Sequence, residues 1–115
     1  MTPRQRAGRA AEQRALDYLT SRGHVLLARN FRVRSGELDL VLQCGRELVV
    51  VEVRQRASRA FGGAAASVTP AKRARVRRAA QAFLFERFGA AAWPAVRFDV
   101  VAIDGTDIDW IRAAF

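Results

Sequence analysis

Two short apolar runs carry most of the side chains able to do chemistry. In ELDLVLQ (37–43) and VVVEVRQR (49–56), acids and arginines interrupt stretches otherwise made of Leu and Val. Residues i and i+2 of a strand share a face. Glu52 and Arg54 therefore point one way with Leu48 and Val50, while Val49, Val51 and Val53 point the other. In the first run Leu38, Leu40 and Leu42 take one face and Glu37, Asp39, Val41 and Gln43 the other. The runs are joined by Cys44-Gly45-Arg46 and read as a β-hairpin. A two-residue Gly45-Arg46 turn sets Asp39 opposite Glu52 and Glu37 opposite Arg54. A three-residue loop would put the acids on opposite faces unless a bulge corrected it.

Two carboxylates brought together raise each other's pKa unless a cation intervenes. Hard divalent cations such as Mg²⁺ or Mn²⁺ take oxygen ligands, often one or two carboxylates plus a substrate phosphate. With Arg54 adjacent, the group suits metal-assisted phosphodiester hydrolysis, the arginine balancing charge that develops on phosphate. Pattern alone leaves a second reading open, in which Glu52 and Arg54 are a cross-strand ion pair on a solvated face. Val50 and Leu48 on that face argue for partial burial, where unpaired charge is costly.

The surrounding elements must hold this hairpin still. Residues 4–22 are rich in Ala, Leu, Arg, Glu and Gln and predict a helix that Gly23 ends. Its small-residue stripe is Gly8, Ala11, Ala15 and Leu19, with Leu16 beside it and Glu12 next to the stripe. A strand is expected over 24–34, with Ser35-Gly36 making the turn into 37–43, and a further strand over 47–54. Residues 57–67 read as a mobile loop. Thr69-Pro70 is a helix start, and that helix runs to about Phe88, basic at first (KRARVRR) and apolar later. Gly89 ends it, 96–103 is a strand, and IDWIRAAF holds a short final one. The order α-β-β-β-α-β predicts one α/β domain over 1–115, a central mixed sheet flanked by helices.

Twenty basic residues oppose eleven acidic ones among 115, a net charge of +9. That excess favours a polyanionic partner, nucleic acid first; compositional bias accounts for the choice of Arg over Lys. No apolar run is long enough to span a bilayer, so no membrane partner is expected. The basic N-terminus lacks the apolar core of a secretory signal, so a cytoplasmic location is expected. The single cysteine, Cys44, cannot form an intrachain disulfide, and the single histidine, His24, has no second histidine with which to build a zinc site. Asp99 reads as a strand-edge acid or a structural cap. Trp93, Trp110, Phe83, Phe85 and Phe88 read mainly as core.

GRAAEQRA, RNFRVRSGELDL, VEVRQR and RFDVV, in that order, are similar to the pattern G-x-x-A-E-x-x-A, R-N-x-R-x-x-x-G-E-[IL]-D-L, V-E-V-K-x-R and R-F-D-V-V of the YraN-like bacterial family. That family resembles the PD-(D/E)XK nuclease superfamily, with a restriction-endonuclease-like core akin to Holliday-junction resolvases. The resemblance implies a metal-dependent endonuclease acting on DNA, branched or structured DNA included, or a nuclease fold that binds nucleic acid with weak or no turnover. An interaction module in DNA processing is the third alternative. Asp39 and Glu52 would ligate Mg²⁺ or Mn²⁺, with Glu12 completing the acidic cluster and Glu37 outside it. Gln55 would hold water or phosphate. Arg54 departs from the pattern's lysine; it can stabilise phosphate charge but cannot be a general base. Lys72, the only lysine, matches the family's lysine at the start of the basic helix. Together with Arg34, Arg56, Arg73, Arg75, Arg77 and Arg78 it is expected to contact nucleic acid, rather than to replace the strand lysine. The resolvase likeness also implies a homodimer.

Overall fold

The Thr2 side chain accepts the Gln5 N–H while the Gln5 side chain accepts the Thr2 N–H, a capping box that starts helix α1 (Pro3–Thr20). The structure, a computed structural model, describes residues 1–56 and 65–115. After α1 come strands β1 (Val25–Val33), β2 (Gly36–Cys44) and β3 (Glu47–Arg56). A 3₁₀ turn (Ala65–Ser67), helix α2 (Pro70–Phe88) and strands β4 (Ala95–Asp104) and β5 (Asp107–Ile111) complete the chain. The expected loop lies outside the described residues over 57–64, and its last three residues are the 3₁₀ turn. α1 stops at Thr20 rather than at residue 22, and Gly23 follows at φ +91° in the turn beyond. Thr69 caps α2 by accepting the Lys72 N–H at 3.3 Å, with Pro70 in the first turn.

The five strands lie side by side in sequence order, antiparallel except for the parallel β3–β4 pair that α2 connects. This is the mixed, helix-flanked sheet expected from the element order. One helix covers each face. Ala11, Ala15, Leu16 and Leu19 of α1 pack on Leu40, Leu42, Val49, Val51, Val53, Val101 and Ile103. The alanines let the helix approach the sheet closely. On the other face Val76, Ala79, Ala80, Phe83 and Leu84 of α2 meet Val41, Leu48 and Val50.

Leu38 corrects the expected alternation. It packs in the α2 layer with Val41, while Leu40 and Leu42 pack in the α1 layer, so β2 changes face between Leu38 and Leu40. Phe85 and Trp93 are also corrections to the expected core. They are 67 % and 40 % exposed, and their rings meet edge-on at 6.2 Å on the surface. Asp99 lies fully buried on β4. It accepts hydrogen bonds from Arg97 Nε and Nη2, Trp110 Nε1 and the Ala113 N–H at 2.8–3.0 Å, tying β5 and the chain end to the sheet. No helix among the described residues is long and apolar enough to cross a membrane.

Candidate active site

β2 and β3 pair from Cys44↔Glu47 to Leu40↔Val51. That is the register a two-residue turn dictates, with Gly45 at φ +62° as its first residue. One position further on, side chains take over from the backbone ladder. Glu52 Oε2 accepts the Asp39 N–H at 3.1 Å, and Asp39 Oδ2 accepts the Val53 N–H at 2.9 Å. Each acid thus bonds the opposite strand at the point where regular pairing ends, and a fork opens beyond them.

The cause of the fork lies partly in β1. Arg29 pairs with Leu40 and Phe31 with Leu38, leaving Asn30 beside Asp39 between these pairs. Asn30 has φ +53°, a left-handed conformation that Asn tolerates better than most residues. That single residue breaks the two-residue period of β1 where β2 changes face. Asn30 shapes the candidate site in a way that the strand pattern missed; an Asn inside a strand run was the available signal.

Because β2 turns over here, Asp39 is reached from both sides of the sheet. On the α2 side it lines a cleft of about 530 Å³ with Glu52, Glu37, Arg32, Arg34, Lys72 and Arg75. On the α1 side it lines a second cleft, of about 360 Å³, with Glu12, Arg4, Arg54 and Gln55. Asp39 and Glu52 are therefore brought together directly, whereas Glu12 approaches Asp39 from the opposite layer. Among the described residues, no group of three or more His, Cys, Asp or Glu is arranged to hold a metal ion.

The electrostatics match this burial. Glu52 is 1 % exposed; burial first, and then repulsion from Asp39, push its pKa up to about 8 against the pull of the Asp39 N–H, Arg54 and Lys72. Burial also raises Asp39, opposed by the Val53 N–H, Arg54 and Lys72. Glu12 is raised by burial and then by Asp39, with hydrogen bonding from Asn30 and the charge of Arg29 acting the other way. Its Oε1 has no hydrogen-bond partner, and Arg29 Nη2 stands 3.9 Å away.

Arg54 Nη2 lies 3.7 Å from Glu52 Oε1, while its Nε and Nη2 are buried without a hydrogen-bond partner. Glu37 does not face Arg54 as the hairpin pattern predicts. Its cross-strand neighbour is Arg32 on β1, with Arg32 Nε 3.3 Å from Glu37 Oε2. The basic residues of α2 separate by helical face. Lys72 and Arg75 line the larger cleft, with exposed Arg34 at its rim. Arg73 donates to the Val68 carbonyl at 3.0 Å and lies 5.4 Å from the Phe115 ring. Arg77 lies 5.7 and 5.3 Å from the Phe98 and Phe115 rings. Arg78 is exposed and lines neither cleft, and the Arg56 side chain lies outside those described. Gly36 is the second residue whose role the pattern missed. A Cβ there would stand 2.5 Å from the Arg75 carbonyl oxygen, so the β1–β2 turn is pressed against the helix that carries Lys72.

The acid pair fits a hard cation by its chemistry. Each carboxylate spends one oxygen on a backbone N–H, and an all-oxygen donor pair whose repulsion Arg54 and Lys72 offset only in part is what Mg²⁺ or Mn²⁺ accepts.

Comparison with known proteins agrees with the sequence pattern. The profile of the uncharacterised protein family UPF0102 matches residues 11–103. A UPF0102 protein of Ralstonia nicotianae is 55 % identical over 112 residues, covering 94 % of this chain and 85 % of the relative. One from Herminiimonas arsenicoxydans is 51 % identical over 113 residues, covering 98 % and 89 %. A third, from Bordetella petrii, is 51 % identical over 118 aligned positions, covering 99 % and 72 %. With the match running through the fork, its flanking strands and both helices, the chain belongs to the UPF0102 family.

Proposed function

We propose that the protein is a metal-dependent endonuclease of the PD-(D/E)XK type, cleaving phosphodiester bonds in DNA. The observation that carries this reading is the reciprocal clasp of Asp39 and Glu52. A buried carboxylate, Glu52, and a half-buried one, Asp39, are fixed by backbone N–H groups at a strand fork, beside a cleft lined by Arg32, Arg34, Lys72 and Arg75. Asp39 and Glu52 would hold Mg²⁺ or Mn²⁺, and such a cation supplies an activated water and neutralises charge on the phosphate. Lys72 and Arg75 bind the phosphodiester on the α2 side as fixed cations. Arg54 lines the α1-side cleft with Asp39 and stands beside Glu52, where its charge stabilises negative charge without exchanging a proton. Glu12 acts on Asp39 through its charge from the same side.

Labelled duplex, single-stranded and four-way-junction DNA, each incubated with Mn²⁺, Mg²⁺ or EDTA, tests this. Cleavage is expected with metal and not with EDTA. Asp39→Ala and Glu52→Gln are each expected to lower it by about 100-fold or more, at the upper end of losses seen for groups that support a metal. Metal-independent cutting, or cutting that survives both substitutions, would sink the reading.

A second reading rests on Arg54 standing at the pattern's lysine position: a nuclease fold that binds DNA without turnover. Arg54→Lys separates the two. A large gain in cleavage marks an attenuated site, whereas salt-sensitive binding with no cleavage in either form favours the binding protein.

A further inference from the structure

At the other end of the β2–β3 hairpin, next to its turn, lies a cleft the fork does not use. It measures about 330 Å³ and is lined by Arg22, His24, Cys44, Arg97, Trp110 and Arg112. His24 is 4 % exposed, yet among the described residues neither ring nitrogen has a partner at good hydrogen-bond geometry, the Leu19 carbonyl lying only near enough to act on its pKa. Buried polar groups are nearly always paired, so an unpaired one asks for a ligand or an ordered water. The imidazole is held edge-on against Trp110, with ring centroids 5.1 Å apart, which fixes its orientation toward the cleft.

The charges around it are unequal. Arg97 is taken up by Asp99 and by Glu47, at 2.9 and 2.7 Å. Asp99 has its oxygens filled by Arg97, Trp110 and the Ala113 N–H. Arg112 lies 4.0 Å from the Trp110 ring centroid and Arg22 lies 3.5 Å from that of Tyr18, and neither has a carboxylate within ion-pair distance among the described residues. Two uncompensated guanidinium groups, each placed by an aromatic ring, therefore share a cleft with a buried imidazole that lacks a partner.

We propose that this cleft is a second site, separate from the Asp39–Glu52 fork, and that it binds a phosphate oxyanion. Arg22 and Arg112 supply charge-assisted hydrogen bonds at the mouth, and His24 donates an N–H from the floor. Arg97 is held as a wall by its own carboxylates. The titratable and charged groups around His24 are Arg22 and Tyr18 from the α1 end and Cys44 at the end of β2. Arg97 and Asp99 on β4, Glu47 on β3 through Arg97, and Arg112 after β5 complete the set. Burial, then Arg97 and Arg112, lower the imidazole pKa against the charge of Asp99 and the Leu19 carbonyl. An arriving anion reverses that balance and favours the imidazolium.

His24 is the only histidine in the chain, so its ring NMR signals report on this cleft alone. Inorganic phosphate, titrated into the full chain against chloride at matched ionic strength, is expected to shift them saturably and to raise the ring pKa. Arg112→Ala and the surface change Arg22→Gln are each expected to weaken this response by about ten-fold, the worth of one charge-assisted bond. Two variants guard against a folding defect in either. No saturable shift, or a shift that both variants retain in full, overturns the proposal. Oligonucleotides then identify the source of the phosphate. Equal responses to end-phosphorylated and unphosphorylated strands point to the backbone diester, and a response to the phosphorylated strand alone points to a terminal monoester. A response only to inorganic phosphate points to a free anion. None of these readings depends on cleavage at the fork.

Discussion

Glu52 is a carboxylate buried against another carboxylate, with a pKa near 8 where an unfolded glutamate titrates near 4.5. Between those values the folded chain holds a proton that the unfolded chain has lost. Unfolding then releases protons, and stability falls as pH rises across that window. Asp39, also raised, adds to the same slope. His24 opposes it, since its pKa is lowered from 6.5 and its contribution grows as pH climbs through that value. Thermal melts in chelator from pH 5 to about 8 isolate the acid pair when wild type is compared with Glu52→Gln. The variant is expected to show the flatter profile and the higher melting temperature at the alkaline end. Parallel profiles would mean that Glu52 is ionised in the folded chain.

At the scale of the elements, the fork depends on how the β1–β2 turn meets α2. Gly36→Ala drives a Cβ into the Arg75 carbonyl, and overpacking of this kind costs about 1–3 kcal/mol. A melting temperature lower by at least about 4 °C is expected, with weaker DNA binding because Lys72 and Arg75 move with the helix. An unchanged melting temperature would show that the turn yields without cost. Much of this arrangement was legible in advance. The Gly45 turn fixed the hairpin register, and so the meeting of Asp39 and Glu52, because turn length and strand parity are local properties. The change of face at Asp39 was not legible, since it arises where Asn30 in one strand meets Asp39 in the next. The position of Lys72 beside the acids also escaped, because it depends on how α2 docks on the sheet through Val76, Ala79, Ala80, Phe83 and Leu84, with Gly36 close against it. The packing of two α2 arginines was not legible for a related reason. Arg73 and Arg77 lie over the rings of Phe98 and Phe115, contacts that no local pattern announces.

For the whole molecule, a net charge of +9 acts only where geometry gathers it. Lys72, Arg75, Arg34 and Arg32 share one cleft, whereas Arg97 is spent on internal acids. DNA affinity is therefore expected to fall steeply with salt, and each phosphate contact contributes about 0.9 to the log–log slope on duplex. Removing Lys72 and Arg75 together should lower that slope by about 2, while Asp39→Ala leaves it nearly unchanged. A slope that ignores the double substitution would place the nucleic acid on another surface.

The cation proposed at the fork can be measured without any substrate. Calorimetric titration of Mn²⁺ near neutral pH, repeated in buffers of different ionisation enthalpy, reports both binding and the protons it displaces. Because Glu52 holds its proton up to a pKa of about 8, saturable Mn²⁺ binding with proton release is predicted, and both should vanish in Glu52→Gln. Mn²⁺ binding that is absent in the wild type, or that persists unchanged in the variant, would contradict a metal site built on Asp39 and Glu52.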